Sequence, residues 1–140
     1  MSAIAIEITA KTNRPPYAQD GLFCVHDWSF QSEPAWRRAF MRAAQATEET
    51  YYVGPWRVHI ALWCASLALR LEGAFVECGV NRGFMSTAVM EYTDWNSRDR
   101  DFYLLDRFAG GGPEGPYGYV LGSDSVRKNF SEWDRIHIIE

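Results

Sequence analysis

Gly73-Ala-Phe-Val-Glu-Cys-Gly-Val-Asn-Arg-Gly-Phe-Met-Ser-Thr-Ala-Val-Met90 decides how this chain is read. A short apolar run ends on an acidic residue, two glycines bracket a turn, and helix-compatible residues follow. That is a buried strand feeding a helix. A carboxylate at the end of such a strand is costly to bury without a partner. The strand-to-helix turn is where open α/β sheets bind ligands, because a helix N-terminus presents backbone N–H groups. Glu77, Gly79 and Gly83 therefore point to a small-molecule site of the nucleoside-cofactor kind.

Outward from this segment the pattern alternates. Phe75–Cys78 reads as a strand and 82–95 as its helix. A charged turn, Arg98-Asp99-Arg100-Asp101, leads to a second strand at Phe102–Asp106. Gly110–Gly118 is a glycine- and proline-rich loop. Ser123-Asp124 caps a short helix ending near Trp133, and Ile136–Glu140 is a third strand. Strand–helix–strand–helix–strand predicts parallel strands joined by right-handed crossovers, and the apolar runs predict strands covered on both faces. The fold class is α/β, a Rossmann-like doubly wound parallel sheet. A doubly wound sheet normally has more strands than three, so residues 54–140 read as the first half of a domain, truncated after the third strand.

Residues 1–53 read as an N-terminal arm and helix. Pro15-Pro16 and Asp20-Gly21 punctuate the arm, with a short strand expected at Ile4–Ile8 and His26-Asp27 read as a loop pair. A first helix is expected from Ser32-Glu33-Pro34, with Trp36, Phe40 and Ala43/Ala44 at helical spacing. It stops before Gly54-Pro55. A second runs from Pro55 to Leu71 and packs into the core through Trp56, Ile60, Trp63, Leu67 and Leu71. Gly73 is its C-terminal stop, and Arg57 and His59 lie on a solvated face.

The 140 residues are 47% hydrophobic with a formal net charge of −4, enough for one cored domain and without the basic run that a nucleic-acid partner needs. Cys24, Cys64 and Cys78 form no metal-ligand or disulfide spacing and fit a reducing compartment. Cys78 is expected to pack against the helices of the sheet. The N-terminus carries no secretory-signal pattern, and the apolar run 60–69 is too short to span a bilayer. A cytoplasmic protein without a membrane partner is the expectation.

The turn's chemistry narrows the ligand. A dinucleotide fingerprint starting at Gly79 requires glycines where Asn81 and Phe84 stand, and no phosphate-binding GK[ST] triplet is present. Acidic-x-Gly-x-x-x-Gly, from Glu77 to Gly83, suits a ligand without a phosphate, such as S-adenosylmethionine. Turn amides would hold its carboxylate, and Glu77 would organise the loop or accept from its ammonium. Asn81 tolerates a positive φ better than most residues. Asp106 ends the second strand about 20 residues after the turn, where an acidic residue accepts from ribose hydroxyls. That feature is shared with NAD-binding folds.

Phe75-Val-Glu-Cys-Gly-Val-Asn-Arg-Gly83, Leu104-Leu-Asp-Arg-Phe-Ala-Gly110, Val126-Arg-Lys-Asn-Phe130 and Ile136-His-Ile-Ile-Glu140 together resemble the macrocin O-methyltransferase family of class I S-adenosylmethionine-dependent enzymes. The likeness covers about residues 54–140. In the second motif Asp106, Phe108 and Gly110 match, while Arg107 replaces a hydroxyl residue. The resemblance implies that Glu77, Gly79, Val80, Arg82, Gly83 and Ser86 surround the methionine end of the cofactor, with Cys78 and Asn81 in the same turn. It implies that Asp106 holds the ribose, with Arg107 and Phe108 nearby, and that Mg2+ and the catalytic base are held by residues outside this chain.

The expected function is S-adenosylmethionine-dependent O-methylation of a small-molecule hydroxyl, on a sugar or natural product, by an N-terminal fragment inactive alone. The alternative is a non-catalytic α/β domain that binds a nucleoside or a partner. Open strand edges favour association, so a homo-oligomer is one expected form. The Gly110–Gly118 loop reads as a mobile lid or an insertion.

Overall fold

The computed structural model describes residues 17–19, 22–24, 27–47, 54–108 and 123–140. Two short strands, β1 (Tyr17–Gln19) and β2 (Leu22–Cys24), pair antiparallel with Gln19 opposite Leu22. The sequence between them is Asp20-Gly21, a hairpin signal inside a segment read as an irregular arm. The strand expected at Ile4–Ile8 and the Gly110–Gly118 loop lie outside the described residues.

A 3-10 turn at Ser29–Ser32 leads into α1 (Pro34–Thr47). Then come α2 (Pro55–Ala68), β3 (Phe75–Cys78), α3 (Phe84–Thr93), β4 (Phe102–Leu105), α4 (Ser123–Asn129) and β5 (Ile136–Ile139). β3, β4 and β5 form a parallel sheet in that order, with Phe75, Phe102 and Ile136 in line across it. The fold is α/β, three strands of a Rossmann-like sheet with helical crossovers.

Helix α3 is buried nearly all round, at Phe84, Ser86, Thr87, Ala88, Val89 and Met90, because α1 and α2 pack on it from the side away from the strands. Ala39 and Ala43 are fully buried on α1, and their small side chains permit close approach. At the N-terminal end of the strands Phe75, Trp95 and Phe102 pack with ring centroids 5.2–5.6 Å apart, and the Trp95 indole N–H donates to the Asp134 carbonyl. This cluster pins the bottom of the sheet and leaves the strands' C-terminal ends to build a site.

Two expectations about packing are corrected. The strands are not covered on both faces by the described residues. Phe75, Phe102, Leu104, Ile136 and Ile138 join the helices in one core, whereas Val76 and Ile139 on the other face are exposed. The stripe expected to bury α2 is also the wrong one. Val58, Leu62 and Ala65 are buried, while Ile60, Trp63, Leu67 and Leu71 are exposed. From Val58 to Leu69 the sequence contains no Asp, Glu, Lys or Arg, so two faces of α2 are apolar and periodicity alone does not choose between them.

Candidate functional site

The loop between β3 and α3 turns tightly because its backbone enters the left-handed region three times. Gly79 has φ +82°, Asn81 φ 51° and Gly83 φ +88°. Glycine occupies that region without a Cβ penalty and Asn tolerates it. The turn closes through Gly83 N–H to the Val80 carbonyl at 2.8 Å, and Gly79 N–H reaches the Leu105 carbonyl at 2.8 Å. Val80 is buried and holds the turn against the core.

The two glycines differ in their surroundings. A Cβ on Gly79 would meet nothing within 4 Å, so the space over the start of the turn is open. A Cβ on Gly83 would lie 2.5 Å from the Phe130 ring. Gly83 also precedes α3 with no side chain to cap it, which leaves that helix start without a capping group of its own.

Asp106, at the end of β4, binds the turn directly. Its Oδ2 accepts the Asn81 backbone N–H at 2.7 Å, and its Oδ1 accepts the Phe108 backbone N–H at 3.2 Å. The acidic residue expected to face a ribose is thus brought to the glycine turn, with one oxygen on each side of the cleft. Carboxylate oxygens carry about four lone-pair sites in all, so two further acceptor positions remain for a ligand.

Glu77 points to the helix side of β3, where the Ser86 hydroxyl donates to its Oε2. Burial pushes the Glu77 carboxyl above its ordinary value. Hydrogen bonds from Ser86 oppose the rise, and the negative Asp106 adds to it. A carboxyl whose folded pKa is raised contributes stability that is fully present below its unfolded value, 4.5, and is lost as pH rises through the folded pKa. Glu77→Gln keeps an acceptor for Ser86 and removes the buried charge. Its melting temperature is expected to exceed wild type at neutral pH, with the gap closing as pH falls below about 4.5; thermal unfolding between pH 3 and 8 checks this. A gap independent of pH would show that the charge of Glu77 is not what costs stability.

Not every expected site residue faces the cleft. Cys78 does not pack against the helices. Strand alternation puts it opposite Glu77, and it is exposed. The Arg82 guanidinium donates through Nη1 to the Thr47 carbonyl at 3.2 Å, tying the turn to α1. Arg107 is exposed. Phe108 is buried with φ 43°. His59, on α2, stacks on Phe30 with centroids 4.1 Å apart, and burial lowers its pKa.

Two supporting residues had no role assigned from sequence. Asn129 donates through Nδ2 to the Arg82 carbonyl at 3.3 Å, and Phe130 fills the space beside Gly83. Both lie in a segment that carries the family resemblance. The contact itself joins residues 47 positions apart, which no local pattern reveals.

No protein-family model matches the chain, and no curated protein sequence matches it. Five chains of solved structures match. One is described as "Structure of the O-methyltransferase NovP"; it is 23% identical, with a TM-score of 0.42, over 59% of this chain and 43% of that one. The present chain thus spans less than half the length of that protein.

Proposed function

We propose that this chain forms the S-adenosylmethionine-binding portion of an O-methyltransferase of the macrocin type, acting on a small-molecule hydroxyl. The observation that carries the reading is the clamp between Asp106 and the glycine turn, with open space over Gly79. The residues fit such a ligand. Asp106 keeps acceptor positions for ribose hydroxyls, and the turn is lined by backbone rather than by bulky side chains. Glu77 stands beneath the turn, near enough to Asp106 for their charges to interact. The cofactor, when bound, supplies an electrophilic methyl group on its sulfonium. The chain's own contribution is orientation: a rigid turn and a fixed carboxylate hold the nucleoside and amino-acid ends, which is the larger part of what positioning gives to in-line transfer.

The reading is tested by calorimetric titration of the 140-residue chain with S-adenosylhomocysteine, beside Gly79→Val and with NADH as a competing ligand class. The wild type is expected to bind S-adenosylhomocysteine and not NADH. A valine at Gly79 fills the open space without touching the protein, at about 1–2 kcal/mol for its left-handed backbone. Affinity is expected to fall at least about tenfold. A folded wild type that ignores S-adenosylhomocysteine, or a Gly79→Val variant that binds it equally well, overturns the proposal.

A further inference from the structure

The outer face of α2 and the outer edge of β3 form one apolar surface. Ile60, Trp63, Leu67 and Leu71 are 45%, 57%, 39% and 67% exposed, and Val76 on the neighbouring strand is 61% exposed. Together they leave on the order of 500 Å2 of apolar surface in contact with water, at the upper end of what a monomer's largest patch shows. No charged residue interrupts the α2 part between Val58 and Leu69, while Arg57, Arg70 and Glu72 border it. A charge-free centre with a charged rim is the composition of a protein interface.

The same surface carries a projection and a recess. Trp63 stands out from α2. Beside it a groove of about 340 Å3 runs between α2, β3 and α3, floored by Ala61, Ala65, Ala68, Phe75 and Val89. Its polar side chains Glu77 and Ser86 bond to each other, so they do not call for a polar ligand. The groove opens at the β3 edge. Phe75 and Gly79 direct their N–H groups to β4, and alternation turns those of Val76 and Cys78 outward. That edge is a template for another strand.

From this we infer that two copies of the chain associate through α2 and the β3 edge, the Trp63 of each seated in the groove of the other. A twofold contact requires each feature to meet its complement on an identical surface, and a projecting indole beside an alanine-lined groove satisfies that. A strand edge also pairs antiparallel with its own copy without a second sequence. Antiparallel pairing centred on Val76 joins the two sheets into one and sets the α2 helices side by side over the seam. The patch is most of the roughly 800 Å2 per partner that a stable interface takes. This inference does not depend on the proposed function.

Sedimentation analysis of the 140-residue chain up to about 100 μM, beside Trp63→Ala, Leu67→Glu and Met41→Glu, decides it. All three side chains are exposed, so each variant is expected to fold, as circular dichroism would verify. The wild type and Met41→Glu, altered on α1, are expected to be dimers. Trp63→Ala and Leu67→Glu are expected to be monomers, or to dissociate at least about tenfold more readily. A monomeric wild type overturns the inference, and so does a dimer that survives both α2 substitutions.

Discussion

Replacing Gly83 with alanine is expected to remove about 2–5 kcal/mol of folding stability, the largest loss for any single methyl group added in this chain. Two costs combine. At φ +88° an L-residue pays about 1–2 kcal/mol in backbone strain. The new Cβ also meets the Phe130 ring at 2.5 Å, and Phe130 is 2% exposed and packed into the core. It has nowhere to swing, and overpacking of this kind costs about 1–3 kcal/mol. A domain of this size has about 5–15 kcal/mol to lose. Urea unfolding should place the Gly83→Ala midpoint well below that of Gly79→Ala, which carries the backbone strain alone because its Cβ meets nothing. Phe130→Leu should offset part of the Gly83→Ala loss when the two are combined, as neighbouring residues in contact do not add. Equal losses at Gly79 and Gly83 would show that the Phe130 contact carries no energy.

The segment around Glu77 was legible because local rules agree there. A short apolar run, a turn with residues that accept positive φ, and a helix start each name the same structure, and Asp106 follows at the spacing of the next strand's end. What failed did so for identifiable reasons. On α2 the three- and four-residue steps reach both Trp56-Ile60-Trp63-Leu67 and Val58-Leu62-Ala65. Only polar residues would have marked the outer side, and the sequence supplies none there. For Cys78 the error was one of parity. With Glu77 facing the helices, a residue one step along the strand must face away. The support of the turn from Asn129, Phe130 and Thr47 was hidden because those contacts depend on how α1 and α4 dock, and nothing in the local pattern encodes docking. The Asp20-Gly21 signal was present but was read only as punctuation.

Removing the carboxylate of Asp106 is expected to weaken both the fold and the site. Two of the non-glycine residues with left-handed backbone, Asn81 at φ 51° and Phe108 at φ 43°, are the two whose N–H groups it accepts. Such conformations cost roughly 1–3 kcal/mol each and persist only where the surroundings fix them. Asp106 does this from the end of β4, which the sheet holds in register with β3. In Asp106→Ala both donors lose a charged acceptor. Because Asp106 is only half-buried, solvent replaces part of what is lost, and a net cost of about 2–4 kcal/mol follows. Binding of S-adenosylhomocysteine is expected to fall about a hundredfold or more, since the ribose acceptor and the shape of the turn go together. Asp106→Asn should fall between. Its side-chain oxygen satisfies one backbone donor, while its NH2 meets the other donor head-on. Amide hydrogen exchange separates the two roles. In Asp106→Ala the amides of Asn81 and Phe108 should exchange much faster while those of β4 and β5 hardly change. If those two amides keep their protection, Asp106 does not hold the turn. If affinity is also unchanged, the carboxylate is not part of a ligand site.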